Sequence, residues 1–216
     1  MTLTNHLRQA TSGKPDSLIV FLHGYGADGK DLLELSDILK QGLPDTLFIS
    51  PDAPNPCTLN PMGYEWFPIP RMDGSSLKEA EIGRDKSAII LNKFIDKILT
   101  ETGILAERTF LMGFSQGCMM SLHIAPRRIK MLAGVIGMSG MLIEPERLLN
   151  ETIQRPPVLL VHGDEDDVVP IEEMGKANDA LINSGFKVLT LISKGTSHGI
   201  AQDGLNAAAN FIKNNL

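Results

Sequence analysis

The sequence predicts an α/β fold built on a mostly parallel, doubly wound sheet, and three observations carry that expectation. Short apolar runs of strand character alternate with helix-compatible stretches along the chain. Gly113-Phe114-Ser115-Gln116-Gly117 joins one such run (Thr109-Phe110-Leu111-Met112) directly to an apolar helical stretch. An acid cluster and a histidine then follow, each just past a later strand.

Taken in order, strands are expected at 17–22, 47–50, 109–112, 132–137, 157–161 and 187–192, and helices near 31–40, 84–101, 116–125, 171–184 and 201–214. Strands separated by helices imply parallel neighbours, and in such a sheet a site forms outside the carboxyl ends of the strands. The 216 residues fit one unit, 1–216, with no internal repeat, linker or insertion long enough for a separate cap domain. At 43% hydrophobic and 21% charged, the composition is that of a globular protein.

The pentapeptide is the most informative step. In a strand–turn–helix setting, G-x-S-x-G forms a turn so tight that the serine is strained and its hydroxyl thrust outward. Glycine two positions to either side avoids the clash that a Cβ would make. Downstream, Val158-Leu159-Leu160-Val161 reads as a buried strand followed by His162-Gly163-Asp164-Glu165-Asp166-Asp167. Val188-Leu189-Thr190-Leu191-Ile192 reads as another, followed by Lys194-Gly195-Thr196-Ser197-His198-Gly199. The chain order Ser…Asp…His is that of the α/β-hydrolase triad, unlike those of two other serine-protease folds.

Elimination among five histidines selects His198. His6 lies in a polar N-terminal segment, and His123 sits in the helix behind the elbow, directed away from the site. His23 and His162 each precede a glycine at a strand end, where an imidazole packs on the turn or bonds a backbone group. Among Asp164, Glu165, Asp166 and Asp167, spacing alone does not choose the carboxylate that would orient the imidazole.

Several motifs together resemble a known family. They are Leu22-His23-Gly24-Tyr25-Gly26-Ala27-Asp28-Gly29, Pro51-Asp52-Ala53-Pro54, the serine elbow, His162 to Pro170, and Ser197-His198-Gly199. In that order they resemble the phospholipase/carboxylesterase family of small α/β-hydrolases, which includes the acyl-protein thioesterases. The resemblance implies a catalytic Ser115, Asp166 and His198, with Asp167 as the alternative acid. It also implies an oxyanion hole formed by the backbone N–H groups of Tyr25 and Gln116. Two-step acyl transfer without metal or cofactor is the expected chemistry.

The resemblance places the proline-rich segment from Pro51 to Pro70 beside the acyl group, with Trp66 and Phe67 as a substrate-binding wall or as anchors of a long loop. Ser139, in Met138-Ser139-Gly140, reads as a second exposed serine with a structural role, and Cys118 as a small buried packing residue. The expected substrate is a small ester or thioester, with acylated proteins and lysophospholipids in range and a homodimer left open. A net charge of −6 argues against nucleic acid or an anionic membrane surface as the main partner. The polar first sixteen residues lack a signal-peptide core, no run is long enough to span a bilayer, and Cys57 and Cys118 make no disulfide framework, so a cytoplasmic location is expected. Two other readings use the same fold: a catalytically silent binding protein, and a dienelactone-type hydrolase, whose group carries cysteine where Ser115 stands.

Overall fold

The alternation seen in the sequence resolves into one seven-stranded sheet in a computed structural model that describes residues 3–216. In chain order the elements are β1 (Asn5–Arg8), β2 (Ser17–Leu22), α1 (Gly29–Leu33), α2 (Ser36–Leu39), β3 (Thr46–Pro51), β4 (Asn55–Pro56), β5 (Tyr64–Glu65), α3 (Pro70–Asp73) and α4 (Leu77–Thr102). Then follow β6 (Thr109–Phe114), α5 (Gln116–Ile124), β7 (Gly134–Met138), α6 (Leu148–Glu151), β8 (Val158–Gly163), α7 (Glu172–Asn183), β9 (Val188–Ser193) and α8 (Gln202–Asn214). The sheet order is β1-β3-β2-β6-β7-β8-β9, antiparallel only between β1 and β3.

The strands at the middle of the sheet are covered on both faces, which explains their continuous apolar runs. Side chains alternate between two cores. Leu18, Val20 and Leu22 face a core completed by Leu91, Phe94 and Ile95 of α4, Met120 and Leu122 of α5 and Leu181 of α7. Ile19 and Phe21 face the opposite core, completed by Leu32 and Leu33 of α1 and Leu205, Phe211 and Ile212 of α8. Strands β6 and β8 end at the same edge of the sheet as β2, so the loops after all three converge.

Beside the short β4, β5, α3 and α6, which were not expected, three local differences have a visible cause. The polar N-terminal segment contains β1, whose His6 pairs with Ser50 and whose imidazole Nε2 lies 3.1 Å from Asp52 Oδ1. A short, exposed edge strand carries no apolar alternation to betray it. The single helix expected over 31–40 is two short ones, because Ser36 Oγ donates to the Leu33 carbonyl (2.5 Å) and competes with the helical ladder. Helix α4 begins at Leu77, not near 84, under a capping box in which Glu79 N–H donates to Ser76 Oγ (3.2 Å) and Ser76 N–H to Glu79 Oε2 (2.8 Å).

Candidate active site

Ser115 sits at the β6–α5 junction with φ 52° and ψ −114°, outside the regions ordinary L-residues occupy. The glycines make that possible. A Cβ on Gly113 would lie 2.2 Å from the Gly117 carbonyl oxygen, and one on Gly117 would lie 1.8 Å from that of Leu22. The strained turn is held by the Ser115 N–H, which donates to Met138 O (2.9 Å), and by the Met119 N–H, which donates to Ser115 O (3.1 Å).

Ser115 Oγ lies 3.0 Å from Nε2 of His198, and Nδ1 of the same ring lies 2.8 Å from Asp166 Oδ2. The carboxylate can only accept, so Nδ1 carries the proton and Nε2 presents its lone pair to the serine hydroxyl. Phe114 packs on the imidazole, with ring centroids 4.9 Å apart. The Asp166 side chain is fully buried, and its other oxygen accepts the N–H groups of Val168 (3.0 Å) and Val169 (2.8 Å). Burial alone would raise this carboxyl. The His198 hydrogen bond and the two backbone donors outweigh it and hold the pKa below the usual carboxylate range.

The choice among four acids thus has a geometric answer: it is Asp166 that meets His198. Asp167 is exposed, and Asp164 ties the acid loop to the histidine loop by accepting the Gly195 N–H (2.6 Å). His162 donates from Nε2 to Val169 O (2.8 Å), the backbone bond expected for it, and also lies 3.2 Å from Asp166 Oδ2.

On the other side of Ser115 the loop after β2 is shaped by His23. Its Nδ1 faces the Gly24 carbonyl (2.7 Å), an acceptor only, and its Nε2 accepts the Ala53 N–H (3.0 Å). Both bonds require a neutral ring protonated at Nδ1. Burial, which lowers the His23 pKa against the pull of the Gly24 carbonyl and nearby aspartates, favours the same state. A second donor, the Ala27 N–H, also binds Gly24 O (3.3 Å). In a planar trans peptide the N–H points opposite to the C=O, so holding the Gly24 carbonyl aims the Tyr25 N–H the other way. Among the described residues, the N–H groups of Tyr25 and Gln116 take no part in the turn and loop hydrogen bonds of the backbone.

A strained serine, a histidine and a buried aspartate in series, after β6, β9 and β8, coincide with a match over residues 6–216 to the family model described as phospholipase/carboxylesterase. The chain belongs to that family. Among solved structures it is similar to esterase PE8, with 40% identity and a TM-score of 0.94 over all of both chains. It is 30% identical over 203 residues to acyl-protein thioesterase 1 of Schizosaccharomyces pombe, covering 89% of this chain and 88% of that protein. To acyl-protein thioesterase 1 homolog 1 of Dictyostelium discoideum it is 30% identical over 207 residues, covering 92% and 90%.

Of the two expectations for Trp66 and Phe67, burial favours the loop anchor, and the exposure expected of Ser139 needs correction. Trp66 is fully buried and Phe67 nearly so, so neither forms an open substrate wall. Trp66 anchors the loop instead: its indole N–H donates to His23 O (3.0 Å) and its ring lies 5.5 Å from the His23 ring. Ser139 is buried rather than exposed, in a left-handed conformation (φ 47°), and its Oγ donates to Gly199 O (3.2 Å) beside His198. Cys118 is buried as expected, and burial pushes its thiol up to about 12.

The Gln116 side chain, to which the sequence assigned no role beside that of its backbone N–H, is buried and bonded at both ends. Its Oε1 accepts the Trp66 N–H (2.8 Å) and its Nε2 donates to Phe67 O (2.6 Å). A cavity of about 850 Å³ lies elsewhere, against Asp96, Leu99, Ile104 and Arg128, and touches none of the residues above. Among the described residues, no helix is long and apolar enough to cross a membrane, and no three His, Cys, Asp or Glu side chains converge as metal ligands.

Proposed function

We propose that this family member hydrolyses carboxylic esters or acyl thioesters through an acyl-enzyme on Ser115. The observation that carries the reading is the Ser115–His198–Asp166 series, at 3.0 and 2.8 Å. His198 Nε2 takes the hydroxyl proton as Ser115 Oγ bonds to the substrate carbonyl carbon. Negative charge moves to the carbonyl oxygen, where the N–H groups of Tyr25 and Gln116 stabilise it. The imidazolium then gives its proton to the departing alcohol or thiol as that bond breaks. Water repeats the sequence on the acyl-enzyme, releasing the acid and restoring Ser115. Asp166 keeps the imidazole in the reactive tautomer and stabilises its charged form.

The names of the relatives, esterase and acyl-protein thioesterase, support ester and thioester substrates, with an acylated protein as one of them. Intact-mass measurement after incubation with a fluorophosphonate tests the reading. A single adduct on the wild-type chain and none on Ser115→Ala is the expected result. An unmodified wild-type chain, or an adduct that persists in Ser115→Ala, would overturn it.

A further inference from the structure

We infer that the Gln116 carboxamide and the Trp66 indole form a staple that sets the spacing between the Tyr25 and Gln116 N–H donors. Gln116 thereby acts as a positioning residue through its side chain, in addition to its backbone. The inference rests on the reading of those two N–H groups as the oxyanion hole.

The two donors belong to different elements, the loop after β2 and the first residue of α5, and no covalent neighbour relates them. A chain of hydrogen bonds does. From α5, Gln116 Oε1 accepts the Trp66 N–H (2.8 Å) while its Nε2 donates to Phe67 O (2.6 Å). From Trp66, the indole N–H donates to His23 O (3.0 Å). From His23, Nδ1–H donates to Gly24 O (2.7 Å), the carbonyl of the peptide that carries the Tyr25 N–H. Ser87 Oγ on α4 closes on Trp66 O and ties the keystone residue to the core helix.

The chemistry of each link is restrictive. A carboxamide places an acceptor and a donor side by side on one planar group, as the N–H of residue 66 and the C=O of residue 67 require. Glutamate would lose the donor to Phe67 O, and an apolar side chain would leave both backbone groups unpaired. Gln116 and Trp66 have no exposed surface, so water offers no replacement partners. Trp66 is therefore held at its N–H, its C=O and its indole, and it transmits the position of α5 to the loop after β2. Oxyanion stabilisation depends on donor placement at the level of tenths of an ångström, so loosening the staple acts on the transition state.

The test uses Gln116→Met, which conserves volume but removes both hydrogen bonds, and Trp66→Phe, which keeps a ring but removes the indole N–H. Trp66 is the single tryptophan of the chain, so its emission reports the staple directly. With a p-nitrophenyl ester, Gln116→Met is expected to lower kcat about 30-fold, less than the ~10²–10³-fold cost of deleting a donor. KM should stay within about threefold, because the lost interaction belongs to the transition state. Trp66 emission should shift to longer wavelength and become accessible to acrylamide. Trp66→Phe should lose about tenfold in kcat, and the double variant should lose less than the product of the two, since both break one connection.

A kcat within twofold of wild type, a kcat loss with Trp66 emission unmoved, or a strictly multiplicative double variant would each overturn the staple. If Gln116→Met does not fold, Trp66→Phe decides alone: a kcat within twofold of wild type sinks the inference. Failure of the underlying mechanism looks different, as a wild-type chain that takes no fluorophosphonate adduct and a Ser115→Ala chain that keeps its turnover.

Discussion

Asp166 Oδ2 lies 2.8 Å from His198 Nδ1, with none of the carboxylate open to solvent, while the next residue, Asp167, faces outward. Two adjacent acids in one loop thus have separate fates, decided by which one turns inward to collect the Val168 and Val169 N–H groups. Asp166→Asn keeps the shape but offers Nδ1 an amide in place of an anion. It should lower kcat by about 10³–10⁴-fold, the scale of loss of the correct tautomer. Asp167→Asn should stay within about threefold. Steady-state kinetics on both variants decides the matter, and the reverse ranking would move the acid by one position.

Gly117 meets the chain of β2 with no room to spare. An added Cβ would sit 1.8 Å from Leu22 O and 2.3 Å from Leu22 C, and backbone on both sides leaves nothing flexible to move. Gly117→Ala should destabilise the protein by more than about 4 kcal/mol, in the range reserved for named steric faults. Chemical denaturation measures it, and a midpoint unchanged from wild type would mean that the elbow relaxes more freely than its contacts imply.

Ser139 holds the histidine loop from the end of β7. Its hydroxyl donates to Gly199 O at 3.2 Å, one residue past His198. A neutral hydrogen bond of about 1 kcal/mol corresponds to roughly fivefold. Ser139→Ala should therefore lower kcat by about three- to tenfold with KM unchanged. An unaltered kcat would show that the loop is fixed by its other contacts, such as the Asp164–Gly195 bond.

These residues show where the sequence speaks and where it is silent. The elbow was legible because a tight strand–helix turn demands glycine at 113 and 117, and glycine is visible as a letter. The central strands were legible because burial on both faces demands unbroken apolar runs. Strand β1 was not, because an edge strand of Asn5, His6, Leu7 and Arg8 is stabilised by its pairing with β3 and not by its own side chains. The fates of Trp66 and Ser139 were illegible for a related reason. Whether an aromatic faces a substrate or fills a core depends on partners 21 to 50 positions distant in the chain, among them His23, Ser87 and Gln116. The four-acid run posed the same problem in miniature, since only the turn after Asp166 determines which carboxylate faces inward.

Helix α5 carries one further titratable group, and it acts on stability. His123 is buried, and its Nδ1 has no hydrogen-bond partner among the described residues. Burial, reinforced by repulsion from Arg127, Arg84 and Arg147 and opposed by Asp85, lowers its pKa to about 4. In the unfolded chain an ordinary imidazole takes up its proton near pH 6.5. Between those values the unfolded state binds the extra proton, so the stability present above pH 6.5 is lost progressively as pH falls toward 4, and the loss then levels off. The full window is worth about 3 kcal/mol at 1.36 kcal/mol per pH unit. His123→Leu removes both the titration and the unpaired nitrogen. Its stability in urea should vary less steeply than wild type from pH 6.5 to 4, with the two curves running parallel above pH 7. Curves parallel throughout the acid range would mean that His123 gains its proton in the folded protein as readily as in the unfolded one, against its burial and the charge of the three arginines.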